Sequence, residues 1–343
     1  MQNKSRFLRV AATIAALCVA GNAADYVPNV MHNTNGTKVC DYPAIVEVYA
    51  VGGGGGGEGG HRRYCMLDEY KGTGSSGGGG ATVYAKFRAS QGSSFVINVG
   101  AGGRGGAYRY TKCGEDWGNG HDGENGHSTT ITFDGTQIIA GGGGGGGVLV
   151  SGETMTGGGP GGVPSIINYT NIIASNGEGG GRGSDGKKSG DLGANCWGGN
   201  AGYLSGITGE CYHTSFGGGL GAVKGGRLSG LGGGGNAEYY YYGDGSKGAD
   251  GSPGEVCAYV TYLWTVIFNS TGGLPTPSSI SEILNGRRII EPSKPAKDYH
   301  VFNGWFKNPD CTDKWYFENP VTQSMTLYAG WLDTRYGDTL GVP

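Results

Sequence analysis

Long apolar runs are what this sequence most lacks. Beyond residue 23 no stretch approaches the roughly 20 apolar residues that a spanning helix needs. No window carries the 3.6-residue apolar period of an amphipathic helix, so an almost helix-free fold is expected. Proline numbers only 12 in 343 residues, and the glycines cluster instead of recurring at every third position, which excludes collagen. Cys-x-x-Cys is absent, so neither a zinc ribbon nor a thioredoxin-like motif has support.

What the chain does have is glycine, 77 residues of it, about three times the usual share. Its first 23 residues join a basic start (Lys4, Arg6, Arg9) to an apolar core and small residues at Gly21 and Ala23, the layout of a signal peptide cut after Ala23. An exported protein is therefore expected, secreted or held at a cell surface, and not membrane-spanning. Losing that segment removes three basic residues and no acidic one, leaving 22 against 28 and a net charge of about −6. Nucleic acid and anionic membrane are poor partners for that overall balance. An oxidising compartment would let Cys40, Cys65, Cys113, Cys196, Cys211 and Cys257 form three disulfides, with Cys311 left as a buried thiol.

Composition divides the remainder. Residues 24–41 form an N-terminal segment, 42–264 a glycine-rich domain, 265–332 a domain of ordinary composition and 333–343 a tail. In the glycine-rich part, Ala44 to Val51, Ala81 to Ala89, Ser93 to Ala101, Ser128 to Ala140 and Gly254 to Trp264 alternate or carry β-branched residues, as strands do. Asp134-Gly135 reads as a hairpin turn. Between these strands lie glycine tracts, the longest Gly141 to Gly147. Ordering one glycine costs roughly 0.5–1 kcal/mol more than ordering alanine, so an ordered tract needs compensation. Polyproline-II-like helices packed closely enough to exchange N–H···O=C bonds would provide it. The alternative is long mobile glycine loops on a β-scaffold.

"VEVYAVGGGGGG", "GGGGATVYAKFRASQGSSFVINVGAGG", "STTITFDGTQIIAGGGGGGG" and "DGSPGEVCAYVTY" resemble the glycine-rich domain of bacterial surface proteins and phage tail-fibre adhesins. That resemblance implies polyglycine helices supported by β-structure, with recognition carried by loops at the helix ends. Residues 265–332 resemble the internalin-type B repeat, also called the Listeria–Bacteroides repeat. The matching features are Val266-x-Phe268, Gly272-Gly273, Pro292 and Pro295, Gly304-Trp305-Phe306, Trp315-x-Phe317, Pro320-Val321-Thr322 and Thr326-Leu327-Tyr328-Ala329-x-Trp331. This implies a small β-grasp-like domain. The expected fold is thus mainly β: a glycine-rich β domain with polyglycine II-type helices, then the repeat domain.

Motifs for chemistry do not survive inspection. Gly74-Ser75-Ser76-Gly77-Gly78 fits the nucleophile-elbow pattern but lacks its strand-to-helix turn, and Gly181 to Lys188 lacks the serine or threonine of a phosphate loop. Asp185, Asp244 and Asp250 read as turn residues, and His61, His121 and His127 show no metal spacing. No enzyme, metal or cofactor is expected. The functional signal is aromatic: Tyr108, Tyr110, Trp117, Trp197, Tyr203, Tyr212, Tyr239, Tyr240, Tyr241 and Tyr242 fall in glycine-flanked segments read as loops. Rigid amphipathic rings suit recognition of a surface glycan or protein, or equally cap the open ends of a glycine bundle. An adhesin is the first reading; a structural envelope or matrix protein, self-associating or ice-binding through polyglycine faces, is the alternative.

Overall fold

The computed structural model describes residues 29–32, 35–59, 61–65, 68–73, 75–107, 109–112, 121–147, 158–169, 172–183, 187–188 and 248–335. The expected signal peptide lies outside them. Among the described residues there are seventeen strands and no α-helix. They begin with β1 (Asn29–His32), β2 (Gly36–Val39), β3 (Ala44–Val51), β4 (His61–Cys65), β5 (Asp68–Thr73) and β6 (Thr82–Ala89). There follow β7 (Ser94–Asn98), β8 (Arg109–Lys112), β9 (Thr129–Phe133), β10 (Thr136–Ala140), β11 (Pro164–Ile167) and β12 (Ile172–Glu178). The last are β13 (Lys187–Lys188), β14 (Glu255–Asn269), β15 (Ile280–Leu284), β16 (His300–Phe306) and β17 (Met325–Asp333).

Two sheets make a sandwich. One includes β12-β6-β3-β14, the other is β11-β10-β9-β7-β2. Alternation puts Val46, Val48, Val83, Ala85, Phe87, Val256 and Ala258 of the first into one core with Phe95, Ile97, Ile131, Phe133 and Ile138 of the second. Phe87 and Phe133 meet at a ring-centroid distance of 4.3 Å. Each buried valine, isoleucine or phenylalanine among them contributes about 1.5–3 kcal/mol. The β9–β10 hairpin turns at Asp134 and Gly135, whose φ angles of 41° and 81° are both positive, as a type I′ turn requires. Residues 29–39, which composition sets apart from the glycine-rich domain, supply strands to this sandwich: β1 pairs with β14 and β2 with β7.

The glycine tracts continue the strands. Tracts 179–183, 75–81, 52–59 and 248–254 extend β12, β6, β3 and β14, while 158–163, 141–147, 121–128 and 100–107 extend β11, β10, β9 and β7. The two sheets thereby become two rows of polyglycine helices. In tract 52–59 every N–H donates, and the acceptor rotates with each residue. Gly52, Gly55 and Glu58 donate to Ala81, Gly78 and Ser75; Gly53, Gly56 and Gly59 to His127, Glu124 and His121; Gly54 and Gly57 to Ser252 and Ala249. A three-residue repeat in direction is the signature of a polyproline-II-type helix, so the ordered alternative is the one adopted. Eight such bonds, at about 0.5–1.5 kcal/mol each, are of the size needed to offset the ordering cost. Close approach makes glycine obligatory here: a Cβ on Gly56 would stand 2.1 Å from the carbonyl oxygen of Arg104. Where the third position faces solvent, side chains return, as at Ala101, Arg104 and Ala107.

The second core gathers Trp264, Val266, Phe268, Trp305, Trp315, Val321, Leu327 and Ala329. Here β14 pairs in parallel with β17, which pairs with β16, and β15 joins the other side of β14. The Gly-Trp signature has a physical basis: Gly304, at φ 121°, sits where the β16–β17 register slips, and Trp305 beside it is 1% exposed. Gly273 lies where a Cβ would meet the Trp331 ring at 2.3 Å. The compositional boundary at 264/265 falls inside β14, which serves both domains. Tyr42, Tyr262 and Trp264 stack at this junction, and Pro43 accepts a 2.7 Å hydrogen bond from Leu263 N.

The six-cysteine scheme is corrected at Cys40, a thiol buried in the sandwich core where it packs as a small apolar group. Cys311 is likewise a thiol, but partly exposed and not buried as expected, because it caps a surface turn. Its pKa is raised by partial burial and by Asp310.

Candidate functional site at the far end of the glycine bundle

Strand and tract directions set an axis. β14 runs antiparallel to β3 and leaves the sandwich at the Ala44 end to enter the repeat domain, whereas tract 52–59 leaves at the Val51 end. The bundle therefore points away from the repeat. At about 3.3 Å per strand residue and about 3.1 Å per polyglycine residue, the path along β3 and tract 52–59 covers roughly 50 Å.

At its far end lies a third sheet, ordered β13-β5-β4-β8. Tracts 179–183, 52–59 and 100–107 run into β13, β4 and β8, and β5 runs into 75–81. Sequence reading missed this cap because its strands, "HRRYC", "DEYKGT" and "RYTK", are charged and carry no apolar alternation. Tyr110, read as a loop residue, is on β8 and 48% exposed. Tyr108, Trp117, Trp197, Tyr203, Tyr212 and Tyr239 to Tyr242 lie outside the described residues, as do Cys113, Cys196 and Cys211.

Just before the cap, tract 52–59 holds Glu58, only 1% exposed. Its Oε2 accepts hydrogen bonds from Ser75 N at 2.8 Å and Ser75 Oγ at 2.9 Å, while Oε1 has no partner. Burial pushes its pKa up to about 7, against the opposing effect of the Ser75 hydrogen bonds; Asp122 adds a smaller upward push. Ser76, the serine of the elbow-like motif, is fully buried inside a polyglycine helix. Asp250, read from the sequence as a turn residue, accepts the Gly105 N–H at 2.7 Å, closing the bundle's hydrogen bonding at its edge. Asn125 does the same for Gly145 at 2.8 Å.

Along the outer row, His121, Asp122, Glu124, Asn125 and His127 are all exposed. On the sandwich, the rings of Tyr49, Tyr84 and Tyr259 form a second aromatic group, with Tyr84 OH donating to Glu47 at 3.3 Å. Burial raises the pKa of Tyr84 to about 12 and that of Tyr49 further still, so both stay neutral. Among the described residues no cluster of His, Cys, Asp and Glu could hold a metal ion, and no helix is long and apolar enough to cross a membrane.

Polyglycine helices carried by a β-sandwich define the class. The chain belongs to the glycine-rich domain family, whose model matches residues 33–261, and the Listeria-Bacteroides repeat domain matches residues 264–330. That pairing of domains points to a surface-associated protein. Two proteins of Evansella cellulosilytica are similar over 77 residues, 22% of this chain. One, 38% identical, is named as a Gly-rich membrane protein; the other, 39% identical, as a membrane protein. The matched region spans only 8% and 11% of their respective lengths.

Proposed function

We propose that this protein is a non-catalytic adhesin of the cell envelope. In this reading the glycine bundle is a rigid spacer that carries a recognition surface away from the repeat domain, toward a glycan or protein on another surface. The observation that supports it is the cap sheet at the end of the bundle opposite the repeat, with Tyr110 exposed on it. Tyr108, Trp117, Trp197, Tyr203, Tyr212 and Tyr239 to Tyr242 are kept as contact candidates on their sequence setting alone. A hydrogen-bonded bundle suits this role, because a pre-organised binding end loses little entropy on contact. The names of the two Evansella proteins accord with an envelope location. The test uses the labelled full chain on a panel of bacterial envelope preparations. Saturable binding that Tyr110→Ala weakens, and Tyr316→Ala in the repeat leaves intact, is expected; equal binding by both variants would refute the assignment.

Self-association is the second reading. It is favoured by apolar side chains exposed around the edge strands β11 and β12: Val163 at 72%, Tyr169 at 64% and Ile173 at 51%. Among the described residues no strand pairs with the outer edge of β11 or β12, and such an edge with apolar side chains invites a further strand. Sedimentation that shifts with concentration, and that Ile173→Lys abolishes, would establish it. The ice-binding form of this reading is disfavoured, because the charged stripe from His121 to His127 interrupts the flat outer row.

A further inference from the structure

The base of the cap is fastened through one carboxyl group. Glu58 stands three residues before β4 and Ser75 two residues after β5, so the pair closes the base of the β4–β5 hairpin. Glu58 N donates to Ser75 O at 2.9 Å, and Ser75 N donates back to Glu58 Oε2 at 2.8 Å. The second of these bonds departs from the pattern of the bundle. Ala81 N donates to Gly141 O and Gly78 N to Gly144 O, and the next three-residue step would send Ser75 N to Gly147 O. The carboxyl takes that N–H instead, and the Ser75 hydroxyl reaches Gly147 O. Three tracts, 52–59, 75–81 and 141–147, are thereby tied together just beneath the cap.

A count of hydrogens shows what this tie requires. Ser75 Oγ lies 2.9 Å from Glu58 Oε2 and 2.9 Å from Gly147 O, and two oxygen–oxygen contacts need two hydrogens. The hydroxyl carries one and the carbonyl none. With Glu58 protonated, the carboxyl donates to Oγ, Oγ donates to Gly147, and Oε2 still accepts the Ser75 N–H. With Glu58 ionised, the hydroxyl hydrogen is drawn to the carboxylate and the link to Gly147 is lost. Ionisation also places a charge in the interior, because Glu58 is 1% exposed, its Oε1 has no partner and no described basic side chain pairs with it. The surrounding tracts offer little relief: 75–81 and 141–147 carry no ionisable side chain, and Arg104, His121, Asp122, Glu124 and Asp250 are all exposed on the outer tracts. Asp122 opposes ionisation of Glu58 by its own charge.

We propose that Glu58 is a proton-operated clamp on the cap sheet: protonated, it ties the three tracts beneath β4 and β5, and ionised, it frees Ser75 from Gly147 and loosens the base of the hairpin. Burial pushes its pKa up to about 7, so the clamp is closed in acid and yields as pH rises through neutrality. The inference rests on the adhesin reading for its consequence, that the cap is held in binding order at acid pH and less so above neutrality.

Its test is hydrogen exchange on the full chain from pH 5 to 8, corrected for intrinsic exchange rates, on wild type and Glu58→Gln. In wild type, residues 61–73 should exchange before the core strand 44–51, and their protection should fall by more than about tenfold across the range. Glu58→Gln keeps the shape, removes the titration and should lose most of that fall. Exchange of residues 61–73 no faster than the core, a flat wild-type profile, or an equal fall in the variant would overturn the proposal; the wild-type profile decides even if the variant does not fold. Binding to envelope preparations should weaken over the same range in wild type, and equal binding at pH 5 and 8 beside a moving exchange profile would overturn the regulatory role. No envelope binding at any pH with the exchange profile as expected would refute the adhesin reading and leave the clamp, whereas binding with a flat profile would do the reverse.

Discussion

Replacing Glu58 with glutamine should remove a defined part of the protein's pH dependence. The carboxyl group is buried in the bundle with one oxygen unpartnered, and burial lifts its pKa from 4.5 to about 7. Between those values the folded chain holds a proton that the unfolded chain has released, so stability falls as pH rises through this window. Below it both states are protonated and there is no loss. Above it the loss is complete, and a shift of this size at 1.36 kcal/mol per unit amounts to about 3 kcal/mol. Asp122, also raised by its own partial burial, contributes a slope of the same sign that the variant retains. The assay is urea unfolding at intervals from pH 4 to 8.5 on wild type and Glu58→Gln. The readout is the difference in slope, because the amide places an unpartnered donor where Oε1 was and shifts the absolute stability. Wild type should lose about 3 kcal/mol more than the variant between pH 4.5 and 8. Parallel curves, or a wild type that gains stability across that window, would refute the reasoning.

Gly56→Ala, which forces a Cβ to 2.1 Å from a backbone oxygen, should cost more than about 3 kcal/mol by chemical denaturation, whereas Gly179→Ala, whose nearest neighbour is 3.4 Å away, should change stability by no more than about 1 kcal/mol. Maleimide labelling followed by peptide mass mapping should modify Cys311 in the native protein and Cys40 only after unfolding. Truncation after residue 264 cuts β14 and strips the repeat from the Tyr42, Tyr262 and Trp264 cluster; calorimetry should show a lower melting temperature for the remaining glycine-rich part than for the same part in the full chain.

Where side-chain alternation was strong, the sequence was readable. Ala44 to Val51 is a strand over the whole expected range, and Asp134-Gly135 turns its hairpin as expected. The glycine tracts were legible through the cost of ordering them, though not their arrangement as prolongations of particular strands. That depends on contacts among tracts up to about 200 residues apart, such as Gly54 with Ser252. The cap strands were hidden because "HRRYC" and "DEYKGT" carry no apolar alternation for a sequence reading to detect. Tyr110 was assigned to a loop for the same reason. Cys40 was counted toward a disulfide because cysteine number carries no information about which thiol the core encloses. The composition change at residue 264 masked the fact that "VCAYVTYLWTVIF" continues as one strand through both domains.

The most direct test of recognition at the far end of the bundle is hydrogen exchange on the full chain, free and saturated with the solubilised envelope fraction that it binds. Protection confined to residues 61–73 and 109–112, with residues 265–332 unchanged, is the predicted result. Protection on the repeat domain or along residues 121–128 would contradict it.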